Sequence, residues 1–214
     1  MSNFSVKIKE LLKQIPWIKF ISDARYALKR EQDFQAWRDQ CSPTPPPHSF
    51  KQQQILDYVT RKSNIVVETG TNSGSTTAFL SRYVKKVYSI ELSRDLYEIA
   101  QAKFANNKSI VLFHGDSSDL LPKILSSINE PIIFWLDGHY SGEGTAKGTF
   151  STPILGELEA IFTHPLKEHV ILIDDARCFT GSGDYPSIDT LKNLASRNQY
   201  EYFYVLNDII RIHN

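Results

Sequence analysis

The sequence predicts an α/β fold: a doubly wound, mostly parallel seven-stranded sheet with an antiparallel C-terminal edge, preceded by an N-terminal helical extension. Three observations carry this. Short apolar strands alternate with amphipathic helices from residue 50 onward, a pattern that calls for a parallel sheet covered on both faces. The strands are nearly continuous apolar runs, as in IIFWL (132–136) and VILI (170–173), so both faces are buried. Finally, YEYFYVLNDIIRIH (200–213) reads as two strands turning at Asn207-Asp208.

In chain order, the first helical run recurs at Ile8, Leu11, Leu12 and Ile15 and is broken or kinked at Pro16. A second, charge-rich helix is expected from about Ile21 to Trp37, followed by CSPTPPPH (41–48), an extended, polyproline-like connector. Residues 1–48 are therefore set apart as an extension, and 49–214 as the main domain. A helix over Phe50–Arg61 leads to the strand NIVVETG (64–70), and the next helix starts near Gly74. The strand KVYSIEL (86–92) precedes a helix from Ser93, and SIVLFHGD (109–116) a helix from Leu120. PIIFWLDGH (131–139) precedes a helix over Ile154–Phe162, and HVILIDDA (169–176) a helix over Ser187–Ser196.

Composition excludes several classes. With 24 Lys plus Arg against 24 Asp plus Glu among 214 residues, there is no basic excess for capturing nucleic acid. Cys41 and Cys178 form no CxxC pair, which argues against a disulfide framework or thiolate zinc site and fits a reducing, cytoplasmic setting. Lysines 9, 13 and 19 interrupt the N-terminal apolar residues, so neither a signal peptide nor a membrane span is expected. The first helix is basic and amphipathic; a cap or a homodimer contact is the expected role, ahead of membrane-surface binding.

The chemistry collects at the carboxyl ends of the strands, where such sheets bind ligands. The first strand ends in Glu68-Thr69-Gly70-Thr71-Asn72-Ser73-Gly74, the second in Glu91, and the third in Asp116. The fourth ends in Asp137-Gly138-His139 and the fifth in Asp174-Asp175. Gly70 and Gly74 bracket a turn where a ligand can approach the backbone, but the spacing is neither GxGxxG nor a P-loop. Glu91, about twenty residues on, suits ribose hydroxyls. Glu68 suits a cationic ligand group better than a diphosphate, which favours S-adenosylmethionine over a nicotinamide dinucleotide.

Asp137, Asp174 and Asp175 lie on strands expected to be neighbours. Adjacent carboxylates about 4 Å apart in partly buried surroundings repel by roughly 4 kcal/mol, so a counter-charge is needed. Mg²⁺ is the expected one, with calcium or another divalent cation as the alternative. The alternative is that Asp174 or Asp175 caps the next helix or pairs with Arg177. His139 has the pKa range of a general base, with Tyr140 as the competing candidate. The following SGEGTAKGTFSTP (141–153) reads as a lid or an ordinary flexible loop.

Together, ETGTNSG, SIEL, HGDSSDLLP, FWLDGH and ILIDDA resemble class I S-adenosylmethionine-dependent methyltransferases, nearest to the metal-dependent macrocin O-methyltransferase-like, antibiotic-sugar family. The resemblance spans about Lys51 to Asn214. It implies that Glu68, Gly70, Thr71 and Gly74 line the methionine end of the cofactor, that Glu91 binds its ribose, and that Asp116 and Ser117 sit by the adenine. It further implies Asp137, Asp174 and Asp175 as Mg²⁺ ligands, His139 as the base, and a small polyhydroxylated acceptor chelating the metal. Relatives of the catechol type place a lysine where Tyr140 stands and an asparagine where Asp175 stands, and both departures point to the sugar type. The rivals are a cofactor-binding protein without catalysis, a nicotinamide-dependent enzyme, and a methyltransferase acting on nucleic acid or protein.

Overall fold

A computed structural model describes residues 16–59, 62–138 and 151–214. The chain divides into two compact units, Met1–Phe50 and Lys51–Asn214. In the first, helix α1 (Pro16–Asp39) runs into a segment held by its own side chains. Trp37 Nε1 donates to the Pro43 carbonyl at 2.7 Å, and the Phe50 ring packs on those of Phe34 and Trp37. The proline segment is thus folded back onto α1 rather than running free as an extended rod.

The second unit is a seven-stranded sheet: β1 (Ile65–Thr69), β2 (Lys86–Glu91), β3 (Ile110–His114), β4 (Ile133–Leu136), β5 (Val170–Ile173), β6 (Tyr202–Leu206) and β7 (Ile209–His213). Their order is β3-β2-β1-β4-β5-β7-β6. Adjacent pairs from β3 through β5 are parallel, whereas β7 runs antiparallel to both its neighbours. Asn207 and Asp208 both have positive φ, 54° and 62°, the geometry of the tight hairpin turn expected there.

Position in the sheet explains the composition of each strand. The interior strands β1, β4 and β5 are buried at every residue; β4 and β5 are apolar throughout, as two buried faces favour, while β1 ends in Glu68 and Thr69. Phe134 and Trp135 are at most 1 % exposed; fully burying an aromatic of this size contributes roughly 2–3 kcal/mol. The edge strand β6 is mostly exposed, and its alternation of apolar and wetter positions is correspondingly weak.

Helices α2 (His48–Leu56), α3 (Ser75–Leu80), α4 (Arg94–Phe104), α5 (Ser117–Leu125), α6 (Ile154–Thr163) and α7 (Ile188–Arg197) connect the strands. Ser93 and Ser187 cap α4 and α7, their hydroxyls accepting from the Leu96 and Thr190 amides. Helix α5 begins three residues before the expected Leu120, because Asp116 accepts the Ser118 amide at 2.9 Å and starts the helix early. Helix α2 ends at Leu56, short of the expected Arg61; residues 60 and 61 lie outside the described residues, as does the expected first helical run before Pro16.

Candidate functional site

The strand order reverses between β1 and β4, and the crevice outside the carboxyl ends of the strands at such a point is the usual ligand position in these sheets. Gly70 begins the loop after β1 with φ +82°, and a Cβ there would lie 2.3 Å from the Asp137 carbonyl oxygen at the end of β4. Only glycine fits both the backbone angle and this approach. The Gly70 and Thr71 amides donate to the Ile90 carbonyl at 2.9 and 3.2 Å, and the Gly74 amide closes the turn on the Thr71 carbonyl at 2.8 Å. Gly74 then stands at the N-terminus of α3 in a left-handed conformation.

Glu91 clamps this turn from β2. Its Oε2 accepts the Asn72 amide at 2.7 Å and its Oε1 the Ser93 amide at 2.8 Å, joining the loop after β1 to the start of α4. Each carboxylate oxygen retains a further lone pair, so the group is oriented by the backbone yet able to accept from a ligand hydroxyl. Glu68, at the end of β1, is held from inside the sheet. Its Oε2 accepts from Thr77 Oγ1 at 2.5 Å and Ser89 Oγ at 2.6 Å, and the residue is only 1 % exposed. It ties β1, β2 and α3 together. Burial pushes its carboxyl up to about 7, against the pull of the Ser89 and Thr77 hydroxyls. Thr71 joins the same network through a 2.6 Å bond to Ser89 Oγ.

At the end of β3, Asp116 uses Oδ1 to cap α5, and Ser117 Oγ donates to Glu157 Oε1 at 2.6 Å. Glu157, in the first turn of α6, is 1 % exposed. A Cβ on Gly138 would lie 3.3 Å from its Oε1 and 3.1 Å from Thr69 Oγ1. Thr69, Gly138 and Glu157 therefore meet at the carboxyl end of β1 and β4. Sequence reasoning misses Glu157; an acidic residue opening an apolar helix looks like ordinary first-turn charge, and only its burial marks it out.

Asp137 follows β4 directly, its amide donating to the Thr69 carbonyl at 3.1 Å. His139, Tyr140 and the expected lid over 141–150 lie outside the described residues. Asp174 and Asp175 follow β5, and here the structure departs from expectation. Lys51, from the first turns of α2, places Nζ 2.6 Å from Asp174 Oδ1 and 2.7 Å from Asp175 Oδ1. Arg177 Nη1 adds a second cation 2.7 Å from Asp175 and also reaches Asp208. Asp175 adopts a left-handed backbone, φ +55°, which swings its side chain towards these cations. Burial pushes the Asp174 carboxyl up to about 6, although Lys51 pulls it down. Burial lowers the Lys51 pKa, but the two aspartates outweigh it and the net direction is upward.

The residues present do not fit the expected Mg²⁺. The counter-charge between Asp174 and Asp175 is an ammonium group, and among the described residues no three His, Cys, Asp or Glu side chains converge to hold a metal ion. The alternative partner for Asp175, the Arg177 guanidinium, is observed. Lys51 carries no signal in the sequence, lying 124 residues from Asp175.

Several solved structures share this architecture. The O-methyltransferase of Bacillus cereus, in complex with SAH, superposes with a TM-score of 0.57 at 15 % identity, covering 86 % of this chain and 90 % of that one. The O-methyltransferase TomG of Streptomyces achromogenes, involved in tomaymycin synthesis and solved with SAM, gives 0.55 at 15 % identity over 86 % and 87 %. The chain has the class I methyltransferase fold. Among curated proteins, a ribosomal RNA small subunit methyltransferase A of Prochlorococcus marinus is 36 % identical over 75 residues, 35 % of this chain and 26 % of that protein. A protein-L-isoaspartate O-methyltransferase of Caulobacter is 33 % identical over 95 residues, 41 % of this chain and 44 % of that protein. The chain thus spans less than half the length of either curated relative. No family model matches.

Three features of this chain agree with the needs of S-adenosylmethionine. At Gly70 the lack of a side chain lets the turn after β1 lie against the Asp137 carbonyl, the Glu91 carboxylate is held by two backbone amides with lone pairs to spare, and Thr69 Oγ1 is buried without a hydrogen-bond partner among the described residues. Among the described residues no helix is long and apolar enough to cross a membrane.

Proposed function

We propose that the chain is an S-adenosylmethionine-dependent O-methyltransferase acting on a hydroxyl of a small, polyhydroxylated, sugar-like acceptor. The observation that carries this reading is the crevice between β1 and β4. There a glycine turn lies against the Asp137 carbonyl, and the Glu91 carboxylate is wired to that turn by two backbone amides. The fold neighbours that bind SAM or SAH and are named O-methyltransferases support the choice of cofactor and of oxygen as the nucleophile.

The bound cofactor would supply an electrophilic sulfonium methyl. Gly70, Thr71 and Gly74 shape the floor for its amino-acid end, with Glu68 bracing them from the buried side. Glu91 would accept from the ribose hydroxyls, and Asp116 and Ser117 would border the adenine. Asp137, at the end of β4, would lie on the methyl side of the cofactor, and His139 would take the proton of the acceptor hydroxyl, with Tyr140 as the alternative base. Holding oxygen and methyl in near-attack geometry supplies much of the acceleration. No step passes through Mg²⁺.

The balanced charge, 24 basic against 24 acidic residues, weighs against a nucleic-acid acceptor. The same reading places the protein in the cytoplasm and assigns the N-terminal helices to a cap or homodimer contact. A panel of sugars and polyols incubated with methyl-labelled cofactor tests the reaction. Label transferred to a hydroxyl of at least one polyol and lost in His139→Ala with Tyr140→Phe supports it. Transfer only to RNA or to protein carboxylates contradicts the acceptor class.

A further inference from the structure

Two adjacent aspartates at the end of a buried strand need a positive charge held in place, since an unpaired buried carboxylate is strongly destabilising. Lys51 meets this need by position. It is 7 % exposed and its helix is pinned over the carboxyl edge of the sheet. The next residue, Gln52, is 1 % exposed and donates to Ser75 Oγ at the start of α3, 3.3 Å away, while Gln54 accepts from Arg211 of β7 at 2.8 Å. Helix α2 therefore bridges the turn after β1 and the far side of β5, and Lys51 is carried by a fixed backbone.

A divalent cation ligated by Asp174 and Asp175 would sit about 2.0–2.6 Å from their oxygens. The Lys51 nitrogen already stands at 2.6 and 2.7 Å from one oxygen of each, and Arg177 adds its charge on the Asp175 side. Two cations cannot share those oxygens without strong repulsion.

We infer that Lys51 is the resident cation of this site: a positioning residue that holds Asp174 and Asp175 at the end of β5 in place of a divalent metal. The inference goes beyond the methyltransferase reading and rests on it for the meaning of the crevice. The acceptor side is then organised by an ammonium group built into the chain, and the acceptor hydroxyl is bound by hydrogen bonds rather than by chelation.

The test uses the full chain and Mn²⁺ as the probe, with binding followed by calorimetry and by the spin-resonance signal of free Mn²⁺. Wild type and Lys51→Arg are expected to show no saturable Mn²⁺ binding, and their S-adenosylhomocysteine isotherms should be the same with and without EDTA. Lys51→Ala, confirmed folded by its melting curve, should gain a Mn²⁺ isotherm that disappears when Asp174→Asn is added. Saturable Mn²⁺ binding to wild type that is lost in Asp174→Asn overturns the inference, whether or not Lys51→Ala folds. A folded Lys51→Ala that takes up no Mn²⁺ overturns it as well. Failure of S-adenosylhomocysteine to bind in the same samples would strike the methyltransferase reading alone, because the role of Lys51 is read from Mn²⁺ uptake.

Discussion

Lys51 Nζ lies 2.6 Å from Asp174 Oδ1, and both side chains are less than a tenth exposed. This contact joins the start of the domain to the end of its fifth strand. Lys51→Met keeps the aliphatic stem and removes the charge, leaving two adjacent carboxylates short of a cation. Removing one partner of a buried pair typically costs about 3–5 kcal/mol, and Arg177 beside Asp175 should hold the loss near the lower end. Urea denaturation of wild type, Lys51→Met and Lys51→Met/Asp174→Asn measures it. The second substitution should restore part of the stability, and a double variant less stable than Lys51→Met would contradict the pairing.

Gly70 offers a sharper test of the crevice. Gly70→Ala sets a Cβ 2.3 Å from the Asp137 carbonyl at φ +82°, so the turn must move or the strands must part. The expected loss is at least about 2 kcal/mol of stability, with cofactor-product affinity falling further than stability alone explains. Gly183→Ala is the control: it also has positive φ, but its Cβ meets nothing within 4 Å, so only backbone strain of about 1 kcal/mol is expected. Equal effects in the two variants would rule out close approach as the reason for glycine.

At the opposite end of the sheet, His169 and His164 form a buried relay. The Ile132 amide donates to His169 Nδ1 at 3.1 Å, so the proton of His169 lies on Nε2 and is given to His164 Nδ1 at 2.9 Å. His164 Nε2 then donates to the Ile128 carbonyl at 3.1 Å. Burial, followed by the neighbouring His164, lowers the His169 pKa from 6.5 to about 4. The unfolded chain therefore binds more protons between these values. The stability contributed by neutral His169 is complete above pH 6.5 and is lost as pH falls towards 4, by about 3 kcal/mol. Denaturation midpoints measured from pH 7.5 to 4 should show this slope flattened in His169→Gln; an unchanged slope would mean that other groups set the acid limb.

Most of the architecture is legible in the sequence because burial dictates composition. A strand buried on both faces is apolar unless its polar groups are paired inside, and IFWL and VILI read accordingly. The Asn207-Asp208 turn is legible for a related reason, since both residues tolerate positive φ. The start of α5 is harder to place, because Asp116 looks ligand-facing in sequence while its side chain caps the helix. The partners of Glu68 are not legible either, since it is bonded to two hydroxyls that lie 9 and 21 residues away. The counter-charge at Asp174 and Asp175 escapes altogether. A demand for positive charge is visible locally, but which cation meets it depends on a helix packed from the other end of the domain.

Binding of S-adenosylmethionine at the carboxyl ends of β1 and β2 is the central claim of the methyltransferase reading. Calorimetric titration with S-adenosylhomocysteine probes it, on wild type and on Glu91→Ala, which loses both the hydroxyl acceptor and the clamp on the Asn72 and Ser93 amides. Wild type should show one saturable site per chain, and Glu91→Ala an affinity at least about tenfold weaker, corresponding to some 1.4 kcal/mol. No binding to wild type, or equal binding to a folded Glu91→Ala, would contradict the assignment of the crevice.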